Sequence, residues 1–178
     1  MRRFGVLAGW LSAVLVLGGC GSGEDDVSPE ADSAALEQQR DRVRASAATL
    51  VTGAVVALGG RASATTGRVE GCESASEDEF RTFRYRATAR VDTGVDATRP
   101  YLDALGPVLL DAGFADPTVG ERPGGSTLEA SDDDLTATAS ELPGQGDYVL
   151  LSVEGPCLEV PEADRAAWQR RTDPESYL

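Results

Sequence analysis

Three cysteines, Cys20, Cys72 and Cys157, are the only thiols in a chain of 178 residues that has no His and whose 16 basic residues are all Arg. Those absences bound the chemistry. Without Lys there is no phosphate-loop lysine, no Schiff-base lysine and no Ser-Lys dyad; without His there is no Ser-His-Asp triad and no imidazole metal ligand. Acid–base work is left to carboxylates, of which there are 30. A glycosidase-type pair needs two carboxyls at a defined separation across a cleft, one of them raised in pKa by an apolar setting, and no two acids stand out as such a pair. Asp132-Asp133-Asp134 with Glu129 offers oxygens of the kind calcium takes, but it lacks the spaced Asp-x-Asp-x-Asp-Gly order of a calcium loop. A hairpin turn is expected there, and no metal site, cofactor or catalytic residue is expected in the chain.

The first cysteine depends on what precedes it. Met1-Arg2-Arg3 is followed by an uncharged, mostly apolar run from Phe4 to Leu17 and then by Gly18-Gly19, which is the order of a signal peptide. The run is shorter than the ~20 residues of a membrane-spanning helix. Leu17-Gly18-Gly19-Cys20 resembles the lipobox of bacterial lipoproteins. That resemblance implies cleavage between Gly19 and Cys20 and a diacylglyceryl group, with further acylation such as palmitate, on Cys20. Two or more acyl chains hold a protein stably on a membrane, so the expected location is the extracytoplasmic face of the cell membrane. A conventional signal cleaved nearby would instead leave Cys20 as an odd thiol.

Losing Arg2 and Arg3 from the 16 basic residues leaves 14 against 30 acids, a formal charge of −16 on the mature chain. Nucleic acid is a poor partner for such a surface; the expected partners are the membrane, through Cys20, and an envelope protein. In an exported chain Cys72 and Cys157 are an even pair and are expected to be bonded. The loop they close spans 85 residues, for which the chain-entropy model gives about 4 to 5 kcal/mol.

The elements that position these residues follow from periodicity. Residues 20–33 are small and acidic and read as a tether, Glu24-Asp25-Asp26 included. From Ser33 to Leu58, Leu36, Val43, Ala47, Leu50, Ala54 and Leu58 recur at steps of seven, four, three, four and four, the stripe of an amphipathic helix. Asp32 or Ser33 is placed to cap it, and Gly59-Gly60 to end it in left-handed geometry. A short strand is expected over 64–70. Phe83, Tyr85, Ala87, Ala89 and Val91 then alternate with polar residues, the period of a strand with one face on the core. Arg84, Arg86 and Arg90 thereby share the open face, either balancing acids on adjacent strands or forming a stripe for an anionic group or acidic partner.

A second helix is expected over 98–113, capped by Thr98, with Gly106-Pro107 kinking or splitting it. Four strands at hairpin spacing follow, over 118–121, 127–131, 135–141 and 148–154. Residues 161–178 read as a short helix carrying Trp168 and a tail; Trp168 either seals the sheet or is offered to a partner. Tyr85, Tyr101, Phe114 and Tyr148 read as packing residues.

The expected fold is α+β: an antiparallel sheet of about four to six strands with two main helices on one face and one disulfide, in a single domain over 34–160. A cysteine before the arginine strand and Val153-Glu-Gly-Pro-Cys157 closing the sheet resemble small uncharacterised lipoproteins of actinobacteria over about Leu50 to Val160. No catalytic residues come with that resemblance. The function expected is a non-catalytic binding or adaptor domain of unknown ligand on a lipid anchor; the alternative is a small carboxylate-dependent envelope hydrolase or accessory factor.

Overall fold

A 30-residue helix, α1 (Pro29–Leu58), runs along one face of an antiparallel sheet. The computed structural model describes residues 29–73, 80–93, 99–122, 124–142 and 147–178, with the backbone alone at 29–32, 99 and 122. The signal segment, Cys20, most of the tether, Thr98 and the turn Pro143-Gly-Gln-Gly146 lie outside the described residues. α1 starts at Pro29 rather than at Ser33, so the last residues assigned to the tether are helical; proline is well suited to a first helical turn, where its missing N–H costs nothing. Ser33 therefore does not cap. Its hydroxyl instead donates to Asp164 Oδ2 at 2.8 Å. Leu36, Val43, Ala47, Leu50 and Ala54 are all buried, as their spacing requires. The Gly60 N–H reaches the Val55 carbonyl and the Gly59 N–H the Val56 carbonyl, with Gly59 at φ +58°. This is a Schellman ending, which needs a residue that tolerates positive φ.

Strand β1 (Arg61–Gly71) pairs with β2 (Thr82–Asp92), in which every second residue from Phe83 to Val91 is buried. α2 (Arg99–Asp111) buries Leu102, Leu105 and Leu109 and ends in a second Schellman pair at Gly113, φ +94°. Pro107 lies inside α2 and the helix continues through it, so of the kink or split expected there the split does not occur. The reason is its position: Pro107 and Asp103, the residue whose carbonyl it leaves unbonded, are both on the solvent side, where water replaces the missing donor.

A meander of β3 (Ala115–Arg122), β4 (Gly125–Asp132), β5 (Leu135–Glu141) and β6 (Tyr148–Glu154) follows, and β6 pairs back onto β2. The sequence then adds β7 (Leu158–Glu159), α3 (Glu162–Gln169) and β8 (Glu175–Ser176). The strand order is β3-β4-β5-β6-β2-β1-β8, with β7 beside β2. The sheet thus has eight strands, not four to six. The excess comes from β7 and β8, which are two residues each and too short to show a period of two. α1 lies over β2, and α2 over β3 to β5, on one face. The free edge at β3 carries Pro117, a register shift between Ala115 and Thr118 and Asp116 at φ +50°, devices that discourage edge-to-edge pairing.

Cys72, just beyond β1, is bonded to Cys157, just before β7, with Cα atoms 6.2 Å apart. Beside it, Glu73 Oε1 takes the N–H groups of Arg81 and Thr82 at 2.9 and 2.8 Å. Burial opposes the charge on Glu73, but those donors and the Thr82 hydroxyl outweigh it and lower its pKa. Among the described residues no helix is long and apolar enough to cross a membrane.

Candidate functional site

The face of the sheet turned away from α1 and α2 is uncovered among the described residues, and its side chains are set by pairing register. Arg90, Leu150 and Ser140 form one cross-strand row, Thr88, Ser152 and Thr138 the next, and Arg86, Glu154 and Thr136 the third. All nine line a groove of about 720 Å³. Neighbours within a row are about 4.8 Å apart and successive rows about 6.6 Å apart, from the strand spacing and rise. Thr, Ser and Arg stand here because the opposite faces of the same strands, such as Ala87, Ala89, Ala137, Ala139, Leu151 and Val153, fill the core.

The arginine stripe is on this face, as its alternation requires, and it is paired. Arg84 Nη1 donates to Glu154 Oε1 at 2.8 Å. Arg86 lies between Glu154, 3.5 Å from its Nε, and Glu70, 3.9 Å from its Nη1. Arg90 Nε bonds Asp92, and its guanidinium stacks 3.8 Å above the Tyr148 ring. The acids come from adjacent strands for Arg84 and Arg86 and from the same strand for Arg90. The pairing is incomplete in hydrogen-bond terms: Arg84 Nε and Arg86 Nε are both buried without an acceptor in hydrogen-bond geometry. Among the described residues, the hydroxyls of Thr136, Thr138, Ser140 and Ser152 make no hydrogen bond, whereas Thr88 Oγ1 donates to the Thr66 carbonyl at 3.3 Å.

Trp168 is on the other side of the molecule, 5% exposed. Its indole N–H donates to Ser33 Oγ at 3.3 Å and the Arg171 guanidinium covers its ring at 4.3 Å. It packs α3 against the start of α1. Next to it is a smaller cavity of about 380 Å³, bounded by Arg40, Tyr85 and Glu175. Glu175 takes two hydrogen bonds from Arg40, at 2.6 and 2.5 Å, and one from the Tyr85 hydroxyl at 2.8 Å. The Arg40 hydrogen bonds pull the Glu175 pKa down to about 2, against the effect of burial. The Tyr85 hydroxyl is pushed up, first by burial and then by donating to Glu175. This cluster fastens the 170–178 segment onto α1 and β2, beside the pairing of β8 with β1.

Two residues that matter were not distinguished by sequence reasoning. Gln39 is 6% exposed; it receives the Tyr85 N–H at 2.7 Å and donates to the Pro156 carbonyl at 2.8 Å. The signal was present: the step of seven from Leu36 to Val43 is a gap in the apolar stripe, and Gln39 fills it. Glu141 is the second, 4% exposed, with its pKa raised by burial despite a bond from the Leu102 N–H. It falls on the inward parity of β5, one place after Ala139 in the buried series, and its Oε1 has no partner among the described residues. Its acidic neighbours, Asp103 and Glu121, raise its pKa further. Glu141 is therefore a buried acid on the helix side of the sheet, away from the groove.

Asp133 and Asp134 form the turn between β4 and β5, with Asp132 paired to Leu135. Asp134 binds Arg42 at 2.9 Å. Among the described residues, no three His, Cys, Asp or Glu side chains come together in a metal-binding group. In comparisons with protein families, curated proteins and solved structures, no family, protein or fold matches this chain.

Proposed function

We propose that the protein is a lipid-anchored, non-catalytic binding domain held on the extracytoplasmic face of the cell membrane through Cys20, and that the open sheet face is its binding surface. The observation that carries the second half is the groove itself: nine side chains in three registered rows, eight of them polar, on a face that no helix among the described residues covers. The anchor rests on the order of charge, apolar run, small pair and cysteine at the start of the chain. The tether supplies reach. Residues 21–28 span at most roughly 28 Å when extended, so the domain stays close to the lipid surface, and α1 runs from the tethered end towards Gly59-Gly60. Gln39, near its start, is bonded to Tyr85, and Gly60 abuts Asp92. The rows of the groove are therefore stacked along the direction leading away from the anchor.

The carboxylate-hydrolase alternative requires two acids facing one cleft. Glu141 has the raised pKa such an acid needs, but it faces the helices, away from the two acids that line the groove, Glu129 and Glu154, and Glu154 is committed to Arg84 and Arg86. The binding reading is therefore preferred. It is tested by placing a photoreactive diazirine side chain at Ser152, in the middle row, and separately at Val56, which is 78% exposed on the helix side. Each is irradiated in intact cells with and without Cys20→Ala. A discrete adduct that forms at Ser152, fails at Val56 and falls with Cys20→Ala is expected. Equal labelling at both positions would overturn the assignment of the face.

A further inference from the structure

We infer that the open groove recognises an acidic saccharide, a hydroxyl-rich ligand carrying a carboxylate, lying across strands β2, β6 and β5. This rests on the open face being the binding surface. The first argument is charge. Strands β1 and β2 place five arginines on the face, Arg61, Arg68, Arg84, Arg86 and Arg90; the acids that share it by register are also five, Glu70, Asp92, Glu129, Glu154 and Glu159. The face is neutral by that count, on a chain whose net charge is −14. An acidic group approaching this face therefore meets no net like charge.

The second argument is the kind and spacing of the polar groups. The three rows contain five hydroxyls, two guanidinium groups, one carboxylate and one leucine. A hydroxyl both donates and accepts, so Thr88, Ser152 and Thr138 form a line of adaptable partners at about 4.8 Å intervals. That is suited to a ligand that itself presents hydroxyls at short regular intervals, and unsuited to an apolar one. Four of the five hydroxyls make no hydrogen bond within the described residues. Leu150, 37% exposed in the row above, offers a single apolar contact of the size of a sugar ring's C–H face. Arg86 is the guanidinium whose ion pairs are long, at 3.5 and 3.9 Å, and whose Nε lacks an acceptor. A ligand carboxylate would engage Arg86 through its Nη groups, the side chain being 38% exposed while Nε is buried beside Glu154, and a planar guanidinium takes a carboxylate through two parallel N–H bonds. Arg90, held by Asp92 and stacked on Tyr148, is fixed in place as the boundary of the groove about 13 Å further along β2.

The test uses the full chain purified from membranes in detergent and titrated calorimetrically with trigalacturonate, with maltotriose as the neutral trisaccharide of equal length, with acetate as the acid without hydroxyls, and with glucose 6-phosphate. Saturable binding of trigalacturonate is expected, at least tenfold weaker for each of the other three. Arg86→Gln is expected to weaken it roughly tenfold or more, the worth of a charge-assisted hydrogen bond. Thr138→Val should weaken it less, and both variants should unfold at the wild-type temperature because both positions are on the solvent face. Arg171→Gln, on the opposite side, should bind as wild type. Equal binding of maltotriose, equal binding of acetate, preference for glucose 6-phosphate, or an unaltered Arg86→Gln each overturns the inference. Absence of trigalacturonate binding together with a specific adduct at Ser152 overturns the ligand class while leaving the binding surface in place.

Discussion

Replacing Gln39 by Leu should cost more than any other single change of comparable size in the helical layer. The side chain is 6% exposed and joins three pieces of chain: α1, the backbone of β2 at Tyr85, and the Pro156 carbonyl next to the disulfide. Leucine keeps most of the volume, so the loss isolates the two hydrogen bonds. The Tyr85 N–H is buried and would have no acceptor, a penalty of about 1 to 3 kcal/mol. The Pro156 carbonyl belongs to an exposed residue and regains water, adding at most about 1 kcal/mol. The gain from burying an apolar side chain offsets part of this, so a net loss of about 2 kcal/mol follows, equivalent to roughly 5 °C in Tm for a domain of this size. Urea unfolding followed by circular dichroism measures it, with Gln38→Leu as the exposed neighbour expected within about 0.5 kcal/mol of wild type. Gly155→Ala provides a coupled check, because an added Cβ would lie 2.3 Å from Gln39 Cδ. Its cost should shrink in a Gln39→Ala background, where room has been made. A Gln39→Leu protein as stable as Gln38→Leu would refute the reasoning.

The other consequences are briefer. Cys72→Ser should lower stability by up to about 4 to 5 kcal/mol, the chain-entropy value for the 85-residue loop, read as the difference between unfolding curves of variant and wild type without reductant; coincident curves would contradict it. Glu175 is held at about 2 by Arg40, below its ordinary 4.5, so its ionised form contributes stability that is fully present above about pH 5 and is lost as the pH falls towards 2. With the side chain one-third exposed, solvent screening reduces that contribution to about 1 to 2 kcal/mol. Glu175→Gln should therefore be less stable than wild type by that amount at pH 7, with the gap closing below pH 4 in acid titrations of Tm. Glu141 has the opposite sign. Burial raises its pKa, so the neutral acid is the better tolerated form, and stability from this site is lost as the pH rises through the raised value. Glu141→Gln should match wild type near pH 4 and exceed it at pH 8, which the same titrations would show.

How far residues foretold structure depends on how each element signals. β2 is legible because five inward apolar residues alternate with five outward polar ones, and that alternation also fixed the face on which Arg84, Arg86 and Arg90 stand. The two cysteines told of the disulfide by parity. Both helix ends were legible in Gly59 and Gly113, where positive φ favours glycine. What escaped had no periodic or compositional signature. β7 and β8 are two residues each and exist only through tertiary pairing with β2 and β1. The partners of Arg86 come from β1 and β6, 16 and 68 positions away in number, and no local pattern announces them. Pro107 looked like a helix breaker because its solvent-side position cannot be read from one residue. Gln39 was legible only as a gap in a stripe, and it takes the β2 backbone to show why a polar residue fits the gap.

Intact mass spectrometry of the protein extracted from the membrane fraction tests the lipid anchor at Cys20 most directly. The account gives a chain that begins at Cys20, heavier than the bare polypeptide by a diacylglyceryl group and further acyl chains, and a Cys20→Ala protein that keeps its first 19 residues. A wild-type protein recovered in the soluble fraction at the mass of an unmodified chain would contradict it.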